Sequence, residues 1–321
     1  MQQTAIQTEF AKDTLEGLSS EQKFLSSKYF YDDVGSKIFQ DIMQMPEYYL
    51  TDSELEIFKI YKQAILNEFT AKQSHFELVE LGAGDGLKTK ILLSHFLNQH
   101  IDFKYSPIDI SEDAVKNLLS DLKNEIPELK VNGLIGDYFD LIKDIKVNGY
   151  SKKIILFLGS NIGNYNEQMS LEFFRHLKEV LNPQDQVFIG FDLKKDSKII
   201  LNAYNDPHGN TAAFNLNLLH RINNELDANF ILENFKHQEM YDPQTGTAKS
   251  FLKSVEKQEV EILDLNEIIS FEEGELIFME MSQKYDKEMI MDLAERSGFE
   301  IVRNFYDQRH YFVNSLWKLK N

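Results

Sequence analysis

The chain contains no cysteine. That absence excludes disulfides, thiolate metal sites and a cysteine nucleophile. Long apolar runs are missing as well, since no stretch approaches the roughly 20 residues of a membrane-crossing helix. The opening MQQTAIQTEFAKD lacks a basic segment followed by an apolar one, so it does not read as a secretory signal. Positive charge is scarce: 34 basic residues stand against 52 acidic ones, a net charge of −18. Such a surface repels nucleic-acid backbones and anionic membranes. The eight histidines form no H-E-x-x-H or comparable pair, so no metal site is expected. No internal repeat or low-complexity tract is visible. These absences leave a soluble, cytoplasmic globular protein, and a monomer is compatible with all of them.

What is present supports a large core. Apolar residues make up 42% of the 321 residues, with 24 Phe and 14 Tyr. That length suits one elaborated domain or two ordinary ones. SKIFQDIM (36–43) has helical spacing and is ended by Pro46. TDSELEIFKIYKQAIL starts a helix, with Thr51 or Asp52 as cap and Glu54 placed as in a capping box. From residue 76, short apolar strands alternate with helical segments: FELVELG, LKTKILLSHFL, DFKYSPIDIS, EDAVKNLLSDLKNEI, LKVNGLIGDY, KIILFLG, NEQMSLEFFRHLKEVL and DQVFIGFDL. That alternation predicts an α/β fold with a parallel sheet covered on both faces. Residues 200–285 break the rhythm with a helix and antiparallel strands, an inserted α+β segment, before α/β elements return at 286.

The first strand runs into E80-L-G-A-G-D-G86, with Gly82, Gly84 and Gly86 at alternate positions. Glycine lets the backbone turn tightly and lets a ligand lie against it. The loop after the first strand is where open α/β sheets bind ligands. Neither the dinucleotide pattern G-x-G-x-x-G nor a P-loop is present. E-x-G-x-G-x-G instead resembles the first motif of class I S-adenosylmethionine (SAM) methyltransferases. Asp109 ends the second strand and Asp137 the third, where that resemblance implies contacts with the ribose hydroxyls and the adenine amine. A carboxylate can accept both kinds of hydrogen bond. The alternative for Asp109 is a helix N-cap. A second loop, F157-L-G-S-N-I-G-N164, leaves the fourth strand with more turn residues and amides than a turn requires.

The flanking segments are more specific. KYFYDDVGSKIFQDIMQMPEYYLTDSELEI, LVELGAGDGLKTKILL, FLGSNIGNY, GFDLKKDSKIILNAYNDPHGNTAAFNLNLLHRINNEL and GELIFMEMSQKY together resemble the histidine Nα-methyltransferase family. The resemblance runs from about residue 20 to the end of the chain. It implies methylation of the α-amine of histidine to hercynine, as in ergothioneine biosynthesis, with SAM as donor, S-adenosylhomocysteine as product and no metal. It implies a SAM-binding Rossmann-like domain at 61–199 and 286–321, and a substrate domain at 1–60 and 200–285. On the cofactor side it points to Glu80, Gly82, Gly84, Gly86, Lys88, Asp109, Asp137 and Tyr138, the last standing where the family has Phe. On the substrate side, Tyr48, Asn164 and Tyr204 match residues that hold the amino acid's carboxylate and amine. Tyr31 matches a polar contact near the amine, Gly159 thins the wall beside Asn164, and Glu280 and Ser282 match residues that hold the imidazole. Ser250 falls where family members have Met, which leaves another aromatic amino acid or amine as an alternative substrate. A binding module without turnover is the alternative of a different class. Phe278, Glu280 and Ser282 alternate and are expected to share one strand face.

Overall fold

The computed structural model describes residues 8–71, 75–136, 141 and 152–320. In chain order its main elements are α1 (Glu9–Ser19), α2 (Asp33–Met43), α3 (Tyr49–Thr70), β1 (Phe76–Leu81), α4 (Thr89–Asn98), β2 (Phe103–Asp109), α5 (Glu112–Glu125), β3 (Leu134–Ile135), β4 (Lys152–Phe157), α6 (Glu167–Val180), β5 (Gln186–Asp192), α7 (Ser197–Tyr204), α8 (Asn210–Glu225), β6 (Phe235–Asp242), β7 (Thr247–Ser254), β8 (Gln258–Ile262), β9 (Glu267–Phe271), β10 (Leu276–Gln283), α9 (Lys287–Ser297), β11 (Phe299–Tyr306) and β12 (Phe312–Leu319). They form two compact units. One comprises the residues up to Tyr49 and Lys195–Ser282, and the other Leu50–Lys194 and the residues from Gln283 onward.

The second unit is an α/β fold around a seven-stranded sheet of order β11-β12-β5-β4-β1-β2-β3. Strands β1 to β5 pair in parallel, and β12 inserts antiparallel between β5 and β11. Both β4 and β5 are buried along their whole length, as strands covered on both faces must be. The strand order reverses between β1 and β4, so their carboxyl ends flank the crevice where open α/β sheets bind ligands. Register puts those ends level: Leu81 lies beside Ile108, and Glu80 beside both Pro107 and Leu156. The core under the sheet gathers Ile155, Phe157, Phe173, Phe174, Phe191 and Trp317.

The first unit carries a three-stranded sheet of order β10-β7-β6 and a two-stranded sheet of β8 and β9. Its core joins Phe30 and Phe214 to Leu252, Phe271, Ile277 and Met279.

Several expectations change. Helix α3 begins at Tyr49, so Thr51 and Glu54 lie inside it and no capping box forms. The amide of Tyr49 already bonds the Glu47 carbonyl, which starts the turn earlier. The second compact unit begins at Leu50. Strand β3 has only two residues, with a separate bridge from Val131 to Tyr105. Gly133 and Gly136 flank those two residues, and glycine weakens a strand. Tyr204, expected in a turn-rich stretch, is the last residue of α7. Strand β9 escaped the sequence reading because EIISF is short; it pairs with β8 across a turn in which Asn266 takes φ +53°.

Candidate active site

The glycine loop is built as the sequence pattern requires. Gly82, Gly84 and Gly86 have φ of +67°, +55° and +64°, a region that side chains with a Cβ rarely adopt. The amides of Gly82 and Ala83 donate to the Ile108 carbonyl, fixing the loop to the end of β2. Asp109 closes the arrangement: its Oδ2 accepts from the Gly84 amide at 3.0 Å and its Oδ1 from the Ser111 amide at 3.0 Å. The N-cap of α5 is Ser111, whose hydroxyl accepts from the Ala114 amide, so the capping alternative for Asp109 falls away. A Cβ at Gly84 would meet no atom within 4 Å, so this side of the loop is open. Bare backbone at the switch point beside a loop-bound carboxylate is a donor and acceptor set that fits a nucleoside such as that of SAM.

Glu80 sits beneath the loop and is buried. Its carboxylate accepts from Thr89 Oγ1 at 2.7 Å and from the Tyr105 hydroxyl at 2.5 Å. Burial outweighs both bonds and pushes its pKa up from 4.5 to about 7. The native chain thus holds this proton more tightly than the unfolded chain does. The stability this contributes is fully present below about pH 4.5 and is lost as the pH rises through about 7. Glu80→Gln does not titrate here, so denaturant unfolding should show the wild type losing stability relative to this variant between about pH 5 and about pH 8. A gap between the two that stays constant with pH would contradict this.

The loop after β4 faces the same crevice. Gly159 and Ser160 take φ of +69° and +61°, and residues 161–164 form a short 3₁₀ turn with Ile162 and Gly163 buried. Ser160 Oγ accepts from the Asp192 amide at 3.1 Å, which holds the strained residue in place. Asn164 ends the turn, half-buried, and Asn166 caps α6. Asn161 lies against the cofactor loop: a Cβ at Gly82 would fall 3.2 Å from its Nδ2. Lys88, at the N-cap of α4, pairs with Glu54 at 2.5 Å. Asp137 and Tyr138 lie outside the described residues.

In the first unit the aromatic positions converge. Ring contacts run from Tyr31 to Phe39 (5.4 Å), from Phe39 to Tyr48 (6.2 Å) and from Tyr48 to Tyr204 (6.2 Å). The Tyr204 hydroxyl lies 3.1 Å from Ser282 Oγ, and its carbonyl 2.9 Å from His237 Nε2. Burial holds the His237 imidazole below its ordinary range, so a neutral ring donates to that carbonyl. Burial along β10 alternates as far as Glu280 and breaks at Met281, leaving Glu280 half-buried and Ser282 buried, so alternation alone does not describe this strand. Ser250 is buried on β7 and donates to Glu239 Oε2 at 2.6 Å, its cross-strand neighbour on β6. Glu239 was not singled out from the sequence; only the strand pairing reveals it. Asp206 accepts the amides of His208, Asn210 and Thr211, a turn role for that stretch.

Among the described residues there is no group of three His, Asp or Glu placed to hold a metal ion. No described helix is long and apolar enough to cross a membrane.

The sequence model of a family described as histidine-specific, SAM-dependent methyltransferase matches residues 10–319. The chain is 30% identical over 305 residues to a histidine N-alpha-methyltransferase of Mycobacterium tuberculosis, covering 95% of this chain and 93% of that one. It is 32% identical over 285 residues to the histidine N-alpha-methyltransferase of Mycolicibacterium smegmatis, covering 88% and 87%. It is also 28% identical to ergothioneine biosynthesis protein 1 of Schizosaccharomyces pombe, covering 94% of this chain and 39% of that one. The chain therefore belongs to the histidine-specific, SAM-dependent methyltransferase family.

Proposed function

We propose that this enzyme transfers methyl groups from SAM to the α-amine of histidine, giving hercynine. The observation that carries the reading is the match to two histidine N-alpha-methyltransferases over nearly the whole chain. In this reading the unit with the glycine loop is the SAM domain and the other unit is the substrate domain. The name of the fission-yeast relative supports a place in ergothioneine biosynthesis. We place the enzyme in the cytoplasm, with a free amino acid as its partner.

Bound SAM supplies an electrophilic methyl group on a positive sulfur. The chain's own residues hold and orient the two reactants. Asp109 accepts from the ribose hydroxyls, and the bare loop at Gly82, Gly84 and Gly86 admits the cofactor against backbone. Glu80 supports that loop from below, Lys88 faces the cofactor's carboxylate, and Asp137 and Tyr138 take the adenine. Tyr48, Asn164 and Tyr204 grip the substrate's carboxylate and amine with neutral groups, beside the thin backbone at Gly159. Neutral donors do not hold the amine in its protonated form, and its lone pair must be free for in-line displacement. The Tyr31 hydroxyl relays the departing proton, giving its own to water as it accepts, or a water takes the proton directly. The tyrosine faces attract the quaternary cation that forms.

Glu280 and Ser282 read the imidazole. The Ser250 hydroxyl is engaged with Glu239, which supports a polar rather than an apolar substrate side chain. Removing the Glu280 carboxylate leaves an imidazole N–H without its acceptor. Glu280→Ala should therefore weaken histidine binding by about 2 kcal/mol, the size of a lost hydrogen bond to a charged group. Isothermal calorimetry with SAH present measures it; an unchanged histidine affinity would remove Glu280 from the site.

A further inference from the structure

Glu54 lies on α3 with its side chain fully buried. A carboxylate taken out of water is retained only when its oxygens are hydrogen-bonded and its charge is matched. Both conditions are met by three groups from distant parts of the second unit. Oε2 accepts from Lys88 Nζ at 2.5 Å and from the Gly159 amide at 2.9 Å, and Oε1 accepts from Asn314 Nδ2 at 2.7 Å. Lys88 closes the glycine loop after β1, and Gly159 opens the loop after β4. One oxygen atom therefore ties together the two loops that flank the switch point of the sheet.

The surroundings are shaped for this carboxylate. A Cβ at Gly190 on β5 would fall 2.6 Å from Glu54 Oε1. A Cβ at Gly159 would fall 3.2 Å from Lys88 Nζ, at a residue whose φ is already +69°. Asn314 on β12 holds the second oxygen, so the carboxylate cannot rotate away from the loops. An ammonium group has three donors, and Glu54 accepts one of them. The others remain to serve a ligand.

From this geometry we infer that Glu54 is a positioning residue for the cofactor. It aims Lys88 and fixes the Gly159 amide, so that the two loops keep the spacing at which SAM is bound. The inference rests on the reading of Lys88 as a contact to the cofactor.

Binding of S-adenosylhomocysteine by calorimetry tests it without turnover. Glu54→Gln, which keeps shape and removes charge, should bind at least tenfold more weakly. KM for SAM should rise by a larger factor than KM for histidine measured at saturating SAM. Lys88→Met should also bind weakly. In the Lys88→Met background, adding Glu54→Gln should cost clearly less than it does in the wild type, because the part that runs through Lys88 is already lost. A Glu54→Gln variant with wild-type affinity would overturn the proposal. So would a loss of equal size in both backgrounds, since that would show Glu54 acting through general stability. Should Glu54→Gln fail to fold, Asn314→Ser releases one carboxylate oxygen and should weaken binding several-fold; unchanged binding there overturns the proposal as well. Wild-type protein that binds no S-adenosylhomocysteine would instead remove the cofactor reading itself.

Discussion

Asp109→Ala should weaken binding of SAM and of its product by about 3–4 kcal/mol, a few hundredfold or more in Kd. Two losses combine. The ribose hydroxyls lose a charged acceptor, and bonds of that kind contribute about 1.5–3 kcal/mol each. The Gly84 amide also loses the Oδ2 atom that holds the loop open. Asp109→Asn keeps the size and one acceptor, so its loss should be smaller. Calorimetry with S-adenosylhomocysteine measures both, and wild-type affinity in Asp109→Ala would place the nucleoside elsewhere. The unfolding midpoint should move little, because Asp109 is half-buried and Ser111 still caps α5.

Lys284→Met should cost about 3–5 kcal/mol of stability, the largest such effect expected of a single substitution here. Lys284 and Asp192 are both fully buried, with Nζ 2.9 Å from Oδ2. Asp192 ends β5, and its carbonyl accepts the Tyr285 amide at 2.8 Å. Removing the lysine leaves a carboxylate charge in the interior. Protonation of that carboxylate lessens the penalty, so the loss should be smaller near pH 5 than near pH 8. Removing both charges, as in Asp192→Leu with Lys284→Met, should recover most of the stability, since the uncompensated charge is gone. Denaturant unfolding at both pH values measures this. A Lys284→Met variant as stable as the wild type would contradict the burial of the pair.

The two predictions differ in how far the sequence foresaw them. The place of Asp109 at the end of β2, against the glycine loop, was legible because FELVELG, DFKYSPIDIS and KIILFLG read plainly as buried strands. Alternating glycines gave the loop, since their spacing matters only where backbone turns and a ligand approaches. The buried Lys284–Asp192 pair was not legible, because nothing local distinguishes a buried lysine from a solvated one. Glu54 shows the same limit more sharply. Its place three residues after Thr51 suggested a cap, whereas the fold turns it inward to Lys88, Gly159 and Asn314. Glu239 became visible only through its pairing with Ser250 on the neighbouring strand. Side chains whose partners are far apart in sequence carry no periodic signal, and these are the residues that the folded chain adds to the account.

The central claim is histidine Nα-methylation. The most direct test incubates the protein with SAM and each of the standard amino acids, and reads the products by mass. Each methyl added replaces one hydrogen, so one, two or three transfers give distinct masses, and fragmentation locates them on the α-amine. Histidine should gain methyl groups on its α-nitrogen, and the other amino acids should not. Unmodified histidine alongside a methylated different amino acid would contradict it.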